Sequence, residues 1–197
     1  KFHLTTLFII LISTIFAYLY LRSLKGDSID TNVSILKAGK YLEKQILSTG
    51  QFVYRRNMNP KVMIPTKYNI LRHMGAIYSL GMLESYRKGS VDKKALKQAL
   101  LYIIEKTFSP LDKDKIGVWS TAELSGRKGL KKQVKLGALG LSLVAICQSY
   151  YLVKDEISIE FLKKMGNFIL YMQKENGGFY SKYYKKSGLD DSWTSLY

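Results

Sequence analysis

The chain has a single cysteine, Cys147, so it forms no intrachain disulfide and no thiolate metal cluster. Its place in the apolar run Leu139 to Cys147 predicts a buried structural thiol. Only three prolines interrupt 197 residues, which leaves long helices unobstructed. Acidic residues are scarce: 15 Asp and Glu stand against 31 Lys and Arg, a formal charge of +16 that favours anionic partners. The sequence also lacks a phosphate-binding Gly-Lys-Ser/Thr loop, a His-Glu-x-x-His pair, a Cys-x-x-Cys pair and a Gly-x-Gly-x-x-Gly turn after a strand. Those absences argue against nucleotide hydrolysis, zinc proteolysis and dinucleotide-dependent redox chemistry, and no metal or cofactor is expected. The cations are mostly lysines scattered over loops and outer faces, such as Lys93, Lys94, Lys131, Lys132, Lys185 and Lys186, without an arginine-rich cluster. Nucleic acid is therefore not the expected partner.

What is present begins with an apolar N-terminal segment. From Phe2 to Leu21 there is no Asp, Glu, Lys or Arg, and about 20 residues at helical rise match the hydrocarbon thickness of a bilayer. An uncleaved transmembrane signal-anchor helix over residues 1–24 is expected, since a signal peptide has a shorter apolar region and a clearer cleavage site. Membrane lipid is the corresponding partner. Arg22 and Lys25 beyond the segment would keep the remainder cytoplasmic by the positive-inside rule. A short polar linker over residues 25–34 then leads into one domain, residues 35–197.

Within that domain two segments, Lys93 to Phe108 and Ser158 to Gln173, carry apolar residues at helical spacing on one face, with Asp92 and Ser158 placed as N-caps. Two others, Leu71 to Tyr86 and Leu136 to Tyr150, are apolar nearly all round and contain glycines, as expected of enclosed helices. These two align with each other at an offset of about 64 residues. A helix end, a glycine turn and an aromatic recur at the same period: Gln45 to Phe52, Gly117-Val118-Trp119, and Gln173 to Phe179. The expected fold is all-α, an incomplete α/α toroid of about three helical hairpins.

The pattern Gln-x3-Gly-x-Phe at Gln173 to Phe179, with its looser copy at Gln45 to Phe52, resembles the repeat of α/α toroids. That group includes six-hairpin glycosidases, N-acylglucosamine 2-epimerases, uronate-polymer lyases and terpenoid cyclases. Tyr68 to Gly75 and Asp191 to Tyr197 resemble a bacterial toroid group regarded as carbohydrate-active. The resemblance covers about residues 35 to 197 and implies a fragment of a larger ring, held outside the cytoplasm. It also implies a glycoside hydrolase or sugar epimerase acting on a saccharide or anionic glycan, or a non-catalytic module binding glycan or protein.

Toroid loops that enter the inner helices gather at one face, and the candidate residues lie in them. The first loop offers Tyr54, Arg55, Arg56, Tyr68, Asn69, Arg72 and His73; the second, Trp119 and Glu123; the third, Tyr180, Tyr183, Asp190, Asp191 and Trp193. Arg72, in the first turn of an inner helix, suits a carboxylate or phosphate clamp. His73 suits proton transfer. Glu123, Asp190 and Asp191 are the loop acids suited to glycoside chemistry, which requires two carboxyl groups flanking the scissile bond. Tyr54, Tyr68, Trp119, Tyr180 and Trp193 suit contact with sugar rings, with Asn69 beside them; each aromatic also suits a place in the core. Asp190-Asp191 is similar to the acidic motif of class II terpenoid cyclases, although Leu189 departs from it.

Overall fold

The structure, a computed structural model, describes residues 14–18, 20, 30–59, 61–64 and 67–192. The chain divides into two units, residues 1–35 and 36–197. In the first, residues 14–18 and 20 are helical and α1, Thr31–Glu43, begins. Among the described residues no helix is long and apolar enough to cross a membrane. The expectation of a transmembrane signal anchor, and of a membrane-anchored chain, is corrected accordingly. The remainder of Phe2 to Leu21 lies outside the described residues.

The second unit is mixed α/β, which corrects the expectation of an all-α toroid. Helices α2 (Ile70–Tyr86) and α3 (Lys93–Thr107) lead into strands β1 (Phe108–Pro110) and β2 (Ile116–Ser120). A single turn, α4 (Ala122–Ser125), precedes β3 (Gln133–Lys135) and α5 (Leu136–Gln148); α6 (Ile159–Tyr171), β4 (Lys182–Tyr184) and β5 (Gly188–Asp190) follow. The strands form one antiparallel sheet in the order β1-β2-β3-β4-β5. Segments that read as loops thus satisfy one another's backbone N–H and C=O groups. At three to five residues each, they are too short to show a two-residue apolar period.

Local chemistry explains where the helices start. Asn69 Oδ1 accepts the Arg72 N–H at 3.2 Å, Asp92 Oδ1 accepts those of Lys94 and Ala95 at 2.9 and 3.2 Å, and Ser158 Oγ accepts that of Phe161 at 3.2 Å. Each side chain satisfies donors that the first helical turn leaves unpaired. Helices α2 and α5 lie parallel: Gly137 faces Leu71, Gly75 faces Leu141, and Gln148 Nε2 donates to Ser85 Oγ at 2.7 Å. Their inward residues, including Met74, Ile77, Leu80, Leu139 and Ile146, join Leu96, Leu100, Ile103, Met165 and Phe168 in the core. Their opposite faces are not enclosed. Met82 and Val144 are exposed, and so is Cys147, which corrects the expectation of a buried thiol.

The turn repeat exists as geometry. Ile46 bridges Phe52, Gln173 bridges Phe179, and between them Pro110 pairs with Ile116. The first and last copies share their bonds: Leu47 N–H to Gln51 O and Val53 N–H to Gln45 O in one, Lys174 N–H to Gly178 O and Tyr180 N–H to Met172 O in the other. Gly50 and Gly177 hold φ of 86° and 83°, which glycine alone adopts freely. In the middle copy Leu111 N–H to Lys115 O matches, but the aromatic position is Ile116. Trp119 lies three residues further on.

Candidate functional site

The first of these turns delivers an extended segment that runs past the start of α2. Tyr68, just before α2, is buried, and its oxygen accepts the Phe52 N–H at 2.9 Å. The hydroxyl in turn lies 2.6 Å from His73 Nδ1, while His73 Nε2 lies 3.0 Å from the Ala99 carbonyl. A carbonyl only accepts, so Nε2 carries the proton, Nδ1 is an acceptor, and the Tyr68 hydroxyl donates to it. Burial lowers the His73 pKa to about 4, against a smaller rise from the bond to Ala99. Burial likewise pushes the Tyr68 phenol well above the ordinary tyrosine range.

Above this chain opens a cleft of about 520 Å³. Its floor is aromatic. Tyr54 and Tyr68 lie 5.7 Å apart at a tilt, and Tyr102 of α3 meets Tyr68 edge-on at 6.4 Å and stacks on His73 at 5.8 Å. Burial raises the Tyr102 pKa as it does that of Tyr68, so at neutral pH both of these phenols are uncharged. The rim is basic, with Arg55, Lys67 and Lys106. Arg72 stands at its margin: the Arg72 and Arg55 guanidinium carbons lie 5.1 and 5.3 Å from the Tyr54 ring centre. Lys106 is met by exposed Glu105 at 3.2 Å. Arg55, Lys67 and Arg72 make no ion pair among the described residues. The far wall is α4 with Thr121, Glu123, Leu124 and Gly126. Thr121 Oγ1 caps α4 through the Leu124 N–H at 3.2 Å, and the Ser125 carbonyl accepts the Tyr68 N–H at 3.2 Å, which fixes that wall to the floor.

Tyr54, Tyr68, Arg72 and Glu123 are therefore brought together. Asn69 acts as the α2 N-cap. His73 lies beneath the floor at 2% exposure with both ring nitrogens bonded, so it presents no free nitrogen to a ligand in the cleft. Trp119 is 3% exposed, donates to the Ser109 carbonyl at 3.0 Å and packs edge-on to Tyr183; it is a core residue, not a stacking platform. Asp190 and Asp191 stand at the β5 edge of the sheet. That edge is three strand positions from β2, about 14 Å at ordinary strand spacing. Asp190 accepts from the backbone and hydroxyl of Ser192, which hold its carboxyl below the usual range. Asp191 pairs with Lys174, whose ammonium covers the Tyr180 ring at 5.0 Å. Trp193 lies outside the described residues.

Tyr102, Lys106 and Lys67 are cleft residues that loop-based reasoning missed. Tyr102 and Lys106 are four apart on α3, hence on one helical face. That face lies beside the apolar stripe of α3 and is visible in the sequence as a Tyr-x3-Lys pair. No family model, curated protein or solved structure matches the chain.

Proposed function

We propose that the protein binds an anionic saccharide in the Tyr54–Tyr68–Tyr102 cleft. One observation carries this reading: Arg55, Lys67 and Arg72 stand around an aromatic floor and form no ion pair among the described residues. Aromatic faces take the apolar faces of sugar rings, and guanidinium groups take carboxylates in charge-assisted bonds. Binding is favoured over glycoside hydrolysis by the acid count. Among the described lining residues Glu123 is the one carboxylate, and hydrolysis by the usual route requires two.

Titration calorimetry with a uronic acid dimer and its neutral hexose counterpart tests the reading. The dimer binds and the neutral sugar binds at least about tenfold more weakly, the worth of one charge-assisted bond. Arg55→Gln and Lys106→Gln each reduce dimer affinity. Equal affinity for the dimer, polyphosphate and an RNA oligonucleotide would instead reduce the cleft to a non-selective basic surface.

A further inference from the structure

A second group of cations lies beside the cleft, where folding alone gives no reason for it. The sheet has two faces. Trp119, Val134, Tyr183 and Leu189 are successive register partners across β2 to β5, and they face the core, with Val134 fully buried and Tyr183 edge-on to Phe168 at 5.5 Å. Side chains alternate along a strand, so Lys135, Lys182 and Asp190, themselves register partners, share the opposite face.

Lys135 and Lys182 are thus directly opposed like charges, an arrangement that destabilises a sheet. Lys135 also occupies the cap position of α5 and supplies no side-chain cap there, and a cation is the wrong sign for a helix N-terminus. It is only partly exposed. Burial first, then the nearby charges of Arg127 and Lys182, hold its ammonium below the usual lysine range. Asp190, the register partner of Lys182 on this face, offsets part of that charge, whereas Lys135 and Arg127 form no ion pair among the described residues. Asp190 forms no ion pair with either lysine and is engaged by Ser192, while Lys182 Nζ donates to the Ser192 carbonyl and hydroxyl at 2.8 and 3.1 Å. Arg127 directly follows Gly126, a residue of the cleft wall, and one Cα step is about 3.8 Å. A group of three cations, two of them opposed in register, therefore begins one residue from the cleft.

We propose that Arg127, Lys135 and Lys182 form a second anion subsite, which takes a carboxylate of a uronic acid oligosaccharide whose other end occupies the cleft. The inference rests on the reading of the cleft as an anionic-saccharide site and sharpens it: the ligand is a polyanionic oligomer, not a single charged sugar. The bound carboxylate supplies a counter-charge to Lys135 and Arg127, which have no ion pair among the described residues.

Calorimetry with a uronic acid dimer and hexamer separates the two claims. Wild type binds the hexamer about tenfold more tightly than the dimer, as expected for one added charge-assisted contact. The Lys135→Gln/Lys182→Gln variant loses that advantage and keeps its dimer affinity, whereas Arg55→Gln weakens both ligands. Arg127→Gln, on an exposed turn where the fold is not at stake, reduces hexamer affinity alone. Hexamer affinity unchanged in both the double variant and Arg127→Gln, with Arg55→Gln still impaired, overturns the second subsite and leaves the cleft reading intact. A wild type that binds neither ligand overturns the cleft reading and the inference with it.

Discussion

The Tyr68 hydroxyl and His73 Nδ1 lie 2.6 Å apart, and through them the Phe52 N–H is linked to the Ala99 carbonyl. The chain ties the first turn, the start of α2 and the middle of α3 into one buried polar path. It also sets the protonation of the imidazole. Because the folded His73 pKa, about 4, lies below the ordinary 6.5, the unfolded chain binds a proton across that interval and the folded chain does not. Stability is full above pH 6.5 and falls as the pH drops toward 4, by about 3 kcal/mol for this group. Urea denaturation between pH 4 and 7 measures the slope. His73→Phe flattens it and lowers stability at pH 7; an unchanged slope would assign the effect elsewhere.

Gly50 and Gly177 occupy equivalent turns but differ in their surroundings. A Cβ on Gly50 would lie 2.4 Å from the Gln98 carbonyl oxygen and 2.8 Å from Tyr102 Cβ, whereas one on Gly177 meets nothing within 4 Å. Gly177→Ala incurs only the left-handed backbone strain, about 1–2 kcal/mol. Gly50→Ala adds a clash with backbone and is expected to cost about 3–5 kcal/mol. Thermal melts of the two variants check the ranking, and equal losses would contradict it. Because Gly50 packs on Tyr102, its variant also disturbs the cleft floor.

Glu84 is a buried carboxylate in α2 that accepts the Gly89 N–H at 3.0 and 3.1 Å and the Val91 N–H at 3.3 Å, with Lys93 at 3.4 Å. Burial opposes its charge, but these donors prevail and the pKa is lowered. Its contribution is present above the unfolded carboxylate pKa and is lost as pH falls through the folded one. Glu84→Gln keeps the size, replaces one acceptor oxygen by a donor, and lowers stability at pH 7 by about 1–3 kcal/mol. The deficit relative to wild type shrinks in acid. A constant deficit down to pH 2 would show that the charge of Glu84 plays no part.

Trp119 tests its assignment to the core. Trp119→Phe removes the bond to the Ser109 carbonyl and part of the packing against Phe168 and Tyr183, for an expected loss of about 1–3 kcal/mol. Binding of the uronic acid dimer stays within about twofold of wild type, a difference below 0.5 kcal/mol. A large selective loss of binding in a stably folded variant would return Trp119 to the ligand site.

Much was legible in the sequence because its causes are local. Asp92 and Ser158 cap helices where their spacing predicted, the stripes of α3 and α6 face the core, and the turns at Gln45 to Phe52 and Gln173 to Phe179 share their hydrogen bonds. Each depends on residues within one or two turns of chain. The cleft was half legible. Tyr54, Tyr68, Arg72 and Glu123 were candidates from their loops, but Tyr102 and Lys106 join them only because α3 packs beneath Tyr68.

The sheet, the buried state of His73 and the Lys135–Lys182 opposition were decided by tertiary structure. Three-residue strands carry almost no periodic signal, and β3 finds β4 across two intervening helices. The acceptor that holds His73 Nε2, the Ala99 carbonyl, belongs to a different helix, and a backbone group leaves no trace in residue identity. Local preference is written in neighbouring side chains; pairing between distant backbones is settled only when burial removes water as the alternative partner.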